Sequence, residues 1–195
     1  MTTETLRPNA SGDEETITYG SSGGGNHWQD VDEVEASDAD YLQQFTSWGR
    51  DLYNLPASTG TGTINKITLY FRVWSMSASA CVKGAIKSDS TVTETTEKDP
   101  YNAFGAETFG VFSQEWNTNP VDSQPWEWDD IDSLQIGISL EGLAGFLCSR
   151  CSQVYVVVDY TESASGGSSP VKVNMVPGKV IRSARTPGKT FKMSR

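Results

Sequence analysis

The sequence predicts an all-β protein: an antiparallel β-sandwich, jelly-roll-like, with an extended C-terminal arm. Helical periodicity is almost absent along the 195 residues. Segments rich in Val, Ile, Thr, Tyr and Phe alternate instead with turns that carry Gly, Pro, Asn or Asp, a pattern typical of short strands. A linker rich in Gly and Ser (residues 162–170) separates a body (1–161) from a basic arm (171–195).

Six segments have the clearest strand character. In the first, Ile67, Leu69, Phe71 and Val73 alternate with polar or amphipathic residues, so one face should pack against a core while the other meets water. The last is more uniformly apolar and fits a central strand buried on both faces. The six segments are Thr63–Met76, Ser79–Ser88, Ser90–Glu97, Glu107–Trp116, Ser133–Leu140 and Cys151–Tyr160.

Charge is unevenly distributed between body and arm. Residues 161–195 hold seven basic residues and one acid (7 − 1 = +6), whereas residues 1–160 hold eight basic and twenty-four acidic residues (8 − 24 = −16). A basic arm can bind nucleic acid or the acidic body of a neighbouring copy. No aromatic-rich basic patch marks a nucleic-acid reader, so nucleic acid is not expected as a partner.

The composition also argues against membrane insertion and export. No long apolar stretch exists, so no transmembrane span is predicted. The first twenty residues lack the basic and then apolar pattern of a secretory signal, which predicts synthesis in the cytoplasm.

Cysteine usage does not indicate a metal or redox centre. Cys148 and Cys151 form a lone C-x-x-C without a second pair, and the single histidine, His27, is far away in sequence. A redox pair would normally open a helix, whereas this pair leads into a predicted strand. We therefore expect reduced thiols at a strand start, no metal and no cofactor.

The segment from Ser113 to Leu140 is the most distinctive of the chain, because it combines three of the six tryptophans with four carboxylates. Three interpretations are open: an aromatic sugar platform, a calcium site at Asp129, Asp130 and Asp132, or a corner that closes the sandwich. In the corner, Ile131 and Leu134 would anchor in the core and Asp129 would cap a short turn. The three tryptophans are Trp116, Trp126 and Trp128.

No catalytic constellation is recognisable, and the protein is not expected to be an enzyme. A glycosidase needs two carboxylates facing each other across a cleft, and no motif selects a pair among the 25 acids. Ser/His/Asp chemistry would have to use His27, which follows a glycine run and has no serine elbow nearby.

Six motifs follow one another in order along residues 5–160. They are TLRPNASGDE (Thr5–Glu14), HWQDVDE (His27–Glu33), DLYNLP (Asp51–Pro56), WNTNP (Trp116–Pro120), PWEWDDIDSLQIGI (Pro125–Ile138) and QVYVVVDY (Gln153–Tyr160). Together they resemble a β-sandwich domain of structural proteins in tailed phages and related viruses. The resemblance implies a jelly-roll-like fold and a virion component, and it supplies no catalytic residues.

The resemblance and the charge split together predict a virion structural protein, a capsid decoration (cement) protein or another shell component. Its partners would be other copies of itself and major capsid or other virion proteins. The arm would add to a neighbouring subunit through edge pairing, with its basic residues facing the acidic region 30–40 of that copy. The predicted inter-subunit residues are Val171, Val173, Met175, Lys179, Val180, Ile181, Arg182, Arg185 and Lys189.

The alternative hypothesis is a glycan-binding, lectin-like tail or fibre module for host recognition. It rests on the three tryptophans named above, with Tyr41, Trp48 and Tyr53 as further aromatic residues that would line a groove.

Overall fold

The computed structural model describes residues 1–21, 26–143 and 148–163. Nearly all regular structure in this part of the chain is β, and the strands form two antiparallel sheets. The strands are β1 Thr2–Leu6, β2 Ala10–Glu15, β3 Tyr19–Gly20, β4 Leu42–Gln44, β5 Ser47–Asn54, β6 Thr63–Ser75, β7 Val82–Ser88, β8 Thr91–Glu94, β9 Gly110–Trp116, β10 Gln135–Gly142 and β11 Ser149–Thr161. The helices are a 3₁₀ helix His27–Asp30, α1 Pro100–Phe104 and α2 Trp128–Asp132.

The first sheet has six strands and is organised around β11. On one side β11 pairs with β6 along almost its whole length, and β9 continues the sheet beyond β6. On the other side β1 pairs with the C-terminal half of β11 and β4 with its first residues. The short β3 extends the sheet past β4.

The second sheet has five strands in the order β2-β5-β10-β7-β8. Its central strand β10 places Ile136, Ile138 and Leu140 in the core between the sheets. Because side chains alternate along a strand, Ser139 and Glu141 fall on the outward face. The two sheets with a shared apolar core confirm the predicted antiparallel sandwich.

Alternation in β6 agrees with the prediction. Ile67, Leu69, Phe71 and Val73 are completely buried in the core. β11 is the central strand, as expected, and its Val154, Val156 and Val158 are buried. Its other face is only partly covered, with Tyr155, Val157 and Asp159 partly exposed, so the expected burial on both faces is wrong.

Of the remaining sequence predictions, some are confirmed by the structure, and others concern residues that it does not describe. Each of the six predicted segments contains a strand, although the observed strands are mostly shorter. Cys148 and Cys151 are free thiols, and burial raises the pKa of Cys151 to about 12. The linker after Ser163 and the arm residues 171–195 lie outside the described part of the chain. Within it, no helix is long and apolar enough to cross a membrane.

Candidate functional site: a groove on the five-stranded sheet

The predicted tryptophan platform takes part in closing one end of the sandwich. Trp126 is 3% exposed, and its indole N–H donates to the Trp116 carbonyl at 3.0 Å. The Trp128 N–H donates to the Gly62 carbonyl at 2.9 Å, and its ring meets Tyr160 edge-on at 5.1 Å. Trp116 and Trp128 pack partly buried against the core. These contacts match the corner interpretation, in which the Trp126 ring packs into the core at the end of the sandwich.

The helix at this corner is capped differently from the sequence prediction. Glu127, not Asp129, is the N-cap of α2, and its backbone N–H donates to Asp130 Oδ2 at 2.9 Å. The Asp130 N–H is in turn held by the Glu127 side chain, which forms a capping box. Ile131 and Leu134 are buried, as expected.

Two of the three carboxylates proposed for calcium, those of Asp130 and Asp132, are engaged in hydrogen bonds. Asp130 belongs to the capping box, and Asp132 Oδ1 accepts from the Ser58 N–H at 2.8 Å and the Ser58 hydroxyl at 2.7 Å. Among the described residues, metal-ligating atoms converge elsewhere: Cys81, Glu97 and Glu141 place one donor each within 4.8 Å of one another.

A groove with exposed aromatic and polar groups lies on the outward face of the five-stranded sheet. Its volume is about 260 Å³. The cross-strand register places Trp48 beside Glu141 and Arg50 beside Ser139, while Lys83 flanks Ser139 on the other side. All five strands, with the residue that follows β2, contribute to it. The lining residues are Glu14, Thr16, Trp48, Gly49, Arg50, Lys83, Glu94 and Ser139.

Arg50 organises the charges in the groove. Its guanidinium donates to both carboxylate oxygens of Glu14, at 2.7 and 2.9 Å, and to Glu94 Oε1 at 3.1 Å. The same Glu94 oxygen accepts from the Ser139 hydroxyl at 2.6 Å. These hydrogen bonds lower the pKa of Glu14 and raise that of Arg50. Each carboxylate still has lone pairs to offer, because two oxygens provide about four acceptor sites.

Trp48 is the exposed aromatic side chain of the groove, with 37% of its surface accessible. The Lys83 ammonium lies 4.2 Å from the centre of its ring, a cation–π contact. The same ammonium is 3.7 Å from Glu94 and 3.8 Å from Glu97, too far for hydrogen bonds. Lys83 is therefore the most loosely held charged group of the groove.

The other two aromatic residues named with Trp48 lie elsewhere. Tyr53 is completely buried, and Tyr41 contacts the guanidinium of Arg150 at 4.0 Å on the six-stranded sheet. The sequence suggested Trp48 only as one aromatic among several. Its place on an outward strand face depends on the register of β5 against β10, which no local pattern discloses.

His27 lies behind the groove and is paired with a buried acid. Its Nδ1 is 2.6 Å from Oδ2 of Asp51, whose side chain has no exposed surface. The hydrogen bond to Asp51 raises the pKa of His27, and the negative charges of Glu15 and Asp30 act in the same direction. The sequence predicts no serine nucleophile for His27, and its observed partner is this structural carboxylate.

The acidic region 30–40, which is the predicted binding surface for the basic arm of another copy, is already bound in part by basic residues of the same body. Asp38 accepts two hydrogen bonds from Arg72 at 2.8 Å, and the carbonyl of Glu33 accepts from Arg7 at 2.7 Å. The side chain of Glu33 is different: burial raises its pKa to about 7.

Comparisons with known proteins find similarity in structure only. No family model matches the sequence, and no curated protein does. The solved structures that are similar include a carbohydrate-binding module (CBM35) from Cellvibrio japonicus, at 10% identity and a TM-score of 0.44, covering 82% of this chain and 95% of that one.

Two further similar structures are also carbohydrate-binding modules. A xylan-binding module (CBM15) has 13% identity and a TM-score of 0.44, covering 82% of this chain and 94% of its own. The C-terminal module (CBM6) of a laminarinase from Zobellia galactanivorans has 11% identity and a TM-score of 0.40, with 81% and 100% covered. At such identities and scores, the likeness does not extend to function.

Proposed function

We propose that this protein is a non-catalytic glycan-binding module and that its ligand binds in the groove around Trp48. The observation behind the proposal is the placement of an exposed indole among hydrogen-bonding groups on a rigid sheet face. An indole ring offers a flat apolar surface to the C–H face of a sugar ring, while carboxylate, hydroxyl and ammonium groups bind sugar hydroxyls.

The charges of the groove favour a neutral glycan. Glu14 and Glu94 face Arg50 and Lys83, so the four charged residues balance. The surrounding body is strongly acidic, with −16 over residues 1–160, and would repel an anionic polymer. A volume of about 260 Å³ suits a short stretch of sugar chain.

Lys83 would change partners when the ligand enters. The cation–π contact with Trp48 occupies one face of the ring, and a sugar stacking there displaces the ammonium. Because Lys83 is not hydrogen-bonded to Glu94 or Glu97, this displacement costs little, and the freed N–H donors can bind sugar hydroxyls.

The first prediction concerns Trp48→Ala. Full-length protein is screened against neutral, acidic and amino-sugar oligosaccharides on an array, and hits are measured by calorimetry. We expect binding to neutral glycans and a loss of at least about tenfold in affinity for Trp48→Ala, since the stacking surface is removed.

Tyr101→Ala is the matched control, because Tyr101 is similarly exposed but lies on α1, outside the groove. Its affinity should equal that of the wild type. Absence of any glycan binding, or an unchanged affinity in Trp48→Ala, would refute the proposal.

A second candidate function is self-assembly through the basic arm, as in the predicted virion shell component. The specific observation in its favour is the charge split along the sequence, since the arm is basic and the body acidic. The virion location and the capsid partners stay predictions.

A further inference from the structure

The pair formed by His27 and Asp51 is connected to the groove by a short chain of hydrogen bonds. Asp51 Oδ2 lies 2.6 Å from Nδ1 of His27. The other oxygen, Asp51 Oδ1, accepts hydrogen bonds from the backbone N–H groups of Thr16, at 2.7 Å, and Ile17, at 2.9 Å. The carboxylate therefore ties the 3₁₀ helix to the segment that follows β2.

Thr16 is itself part of the groove wall and is bound to the strand that carries Trp48. Its hydroxyl donates to the Arg50 carbonyl at 2.9 Å and accepts from the Arg50 N–H at 2.8 Å. Two residues before Thr16 is Glu14, which holds the Arg50 guanidinium. A shift of this segment would move both the wall and the central ion pair of the groove.

The position of the segment depends on the charge of His27. With His27 protonated, the buried carboxylate of Asp51 faces a cation. After His27 loses one proton, every described partner of Asp51 is neutral: the imidazole Nδ1–H, two backbone N–H groups and the Tyr53 hydroxyl at 3.4 Å. A buried charge without a counter-charge is unfavourable, which promotes local opening and entry of water.

We propose that His27 and Asp51 are positioning residues for the Trp48 groove, so that glycan binding is tighter when His27 is protonated. This inference rests on the proposed glycan function. The imidazole does not touch the ligand; it acts through Asp51 and Thr16.

The groups that face the pair favour the protonated imidazole. Glu15 at the end of β2 and Asp30 in the 3₁₀ helix add negative charge near the ring, and together with Asp51 they raise the pKa of His27. Tyr53 on β5 and Cys151 on β11 lie near Asp51, and burial raises the pKa of both.

The test combines a binding profile with a resonance titration of the full-length protein. Affinities for cellohexaose, xylohexaose and the tightest neutral hit of the array are measured across the titration of His27. We expect affinity to fall about fivefold as pH rises through the His27 pKa, the low end of couplings between linked sites. His27→Gln keeps an amide donor and should give a flat profile.

The resonance titration needs no sugar. Because the chain has one histidine, its ring signal reports His27 directly. The Thr16 amide and the Trp48 indole N–H should titrate with the same midpoint in the wild type and not in His27→Gln. Glu33→Gln is the control, because it removes a carboxyl group whose pKa burial raises to about 7, and it should leave the binding profile unchanged.

The outcomes separate the two proposals. If sugars bind but His27→Gln retains the wild-type pH profile, or if Thr16 and Trp48 do not follow the histidine, the positioning role is wrong. If no sugar binds at any pH, the glycan function is wrong, and the resonances alone show whether the pair controls the groove. Should His27→Gln fail to fold, the wild-type and Glu33→Gln titrations still show whether Thr16 and Trp48 follow the histidine.

Discussion

At the scale of single residues, Glu33 is the side chain placed least favourably for its charge. Its Oε2 is buried and has no hydrogen-bond partner among the described residues. Burial, with the negative charges of Asp32 and Asp40, raises its pKa from 4.5 to about 7. Between pH 4.5 and about 7 the Glu33 carboxyl group therefore keeps its proton in the folded state and loses it in the unfolded state.

This placement predicts a stability that falls as pH rises. The contribution of Glu33 to the free energy of unfolding is fully present below pH 4.5 and is lost progressively as pH rises to about 7. Glu33→Gln should therefore raise the free energy of unfolding at about pH 8 and leave it little changed at about pH 4. Urea unfolding at both values measures the difference.

Glu35→Gln is the matched control, because Glu35 is exposed and carries the same charge two residues away. If both variants were stabilised equally at high pH, the effect would come from net charge, and the burial argument for Glu33 would be wrong. His27 adds to the same trend, since its pKa is also raised and its stabilising charge is lost as pH rises.

At the scale of elements, the corner around α2 illustrates how identical residue types take different roles. Trp126 lies inside the sandwich and Trp48 outside, although both follow short polar stretches in the sequence. We predict that Trp126→Ala lowers the free energy of unfolding by about 3–5 kcal/mol, as large-to-small changes in a core do.

Trp48→Ala serves as the comparison for this prediction, because removing an exposed ring should change stability by no more than about 0.5 kcal/mol. Denaturant unfolding of both variants measures the contrast. Equal losses would show that the corner does not depend on the Trp126 ring.

The local pattern of apolar residues predicted strands β6 to β11 and missed the five N-terminal strands, β1 to β5. β2, with the sequence ASGDEE, has no apolar stripe, and β3 and β4 have only two and three residues. These strands are stabilised by pairing with distant partners, for example β2 with β5. Such pairing depends on tertiary context, so neither these strands nor the groove that β2 and β5 line could be predicted from the sequence.

At the scale of the whole molecule, charge separates the body from the arm. All 25 acidic residues and eight of the 15 basic ones precede residue 164, which gives 8 − 25 = −17, and the seven basic residues that follow give +7. Opposite charges of this size attract each other, and we predict that the arm of one copy is drawn to the body of another.

We predict that truncation after Ser163 leaves a folded protein that no longer self-associates. Full-length protein should associate at 0.1 M salt and dissociate toward 1 M, because the Debye length falls from about 10 Å to about 3 Å. Sedimentation at both salt concentrations measures this. A full-length chain with the arm lysines and arginines changed to glutamine is the control and should behave like the truncated one. If all three proteins associated equally, the arm would not be the cause of self-association.

The pairing of β1 with β11 has a mechanical consequence. Thr2 lies opposite Tyr160 and Leu6 opposite Val156, so the first and last strands of the body begin and finish at the same end of the sheet. A force that pulls these two ends apart acts across the strands, and it loads the hydrogen-bonded pairs one after another, starting from Thr2. Under tension β1 would therefore separate from β11 one hydrogen-bonded pair at a time, at a lower force than if all the pairs were sheared together.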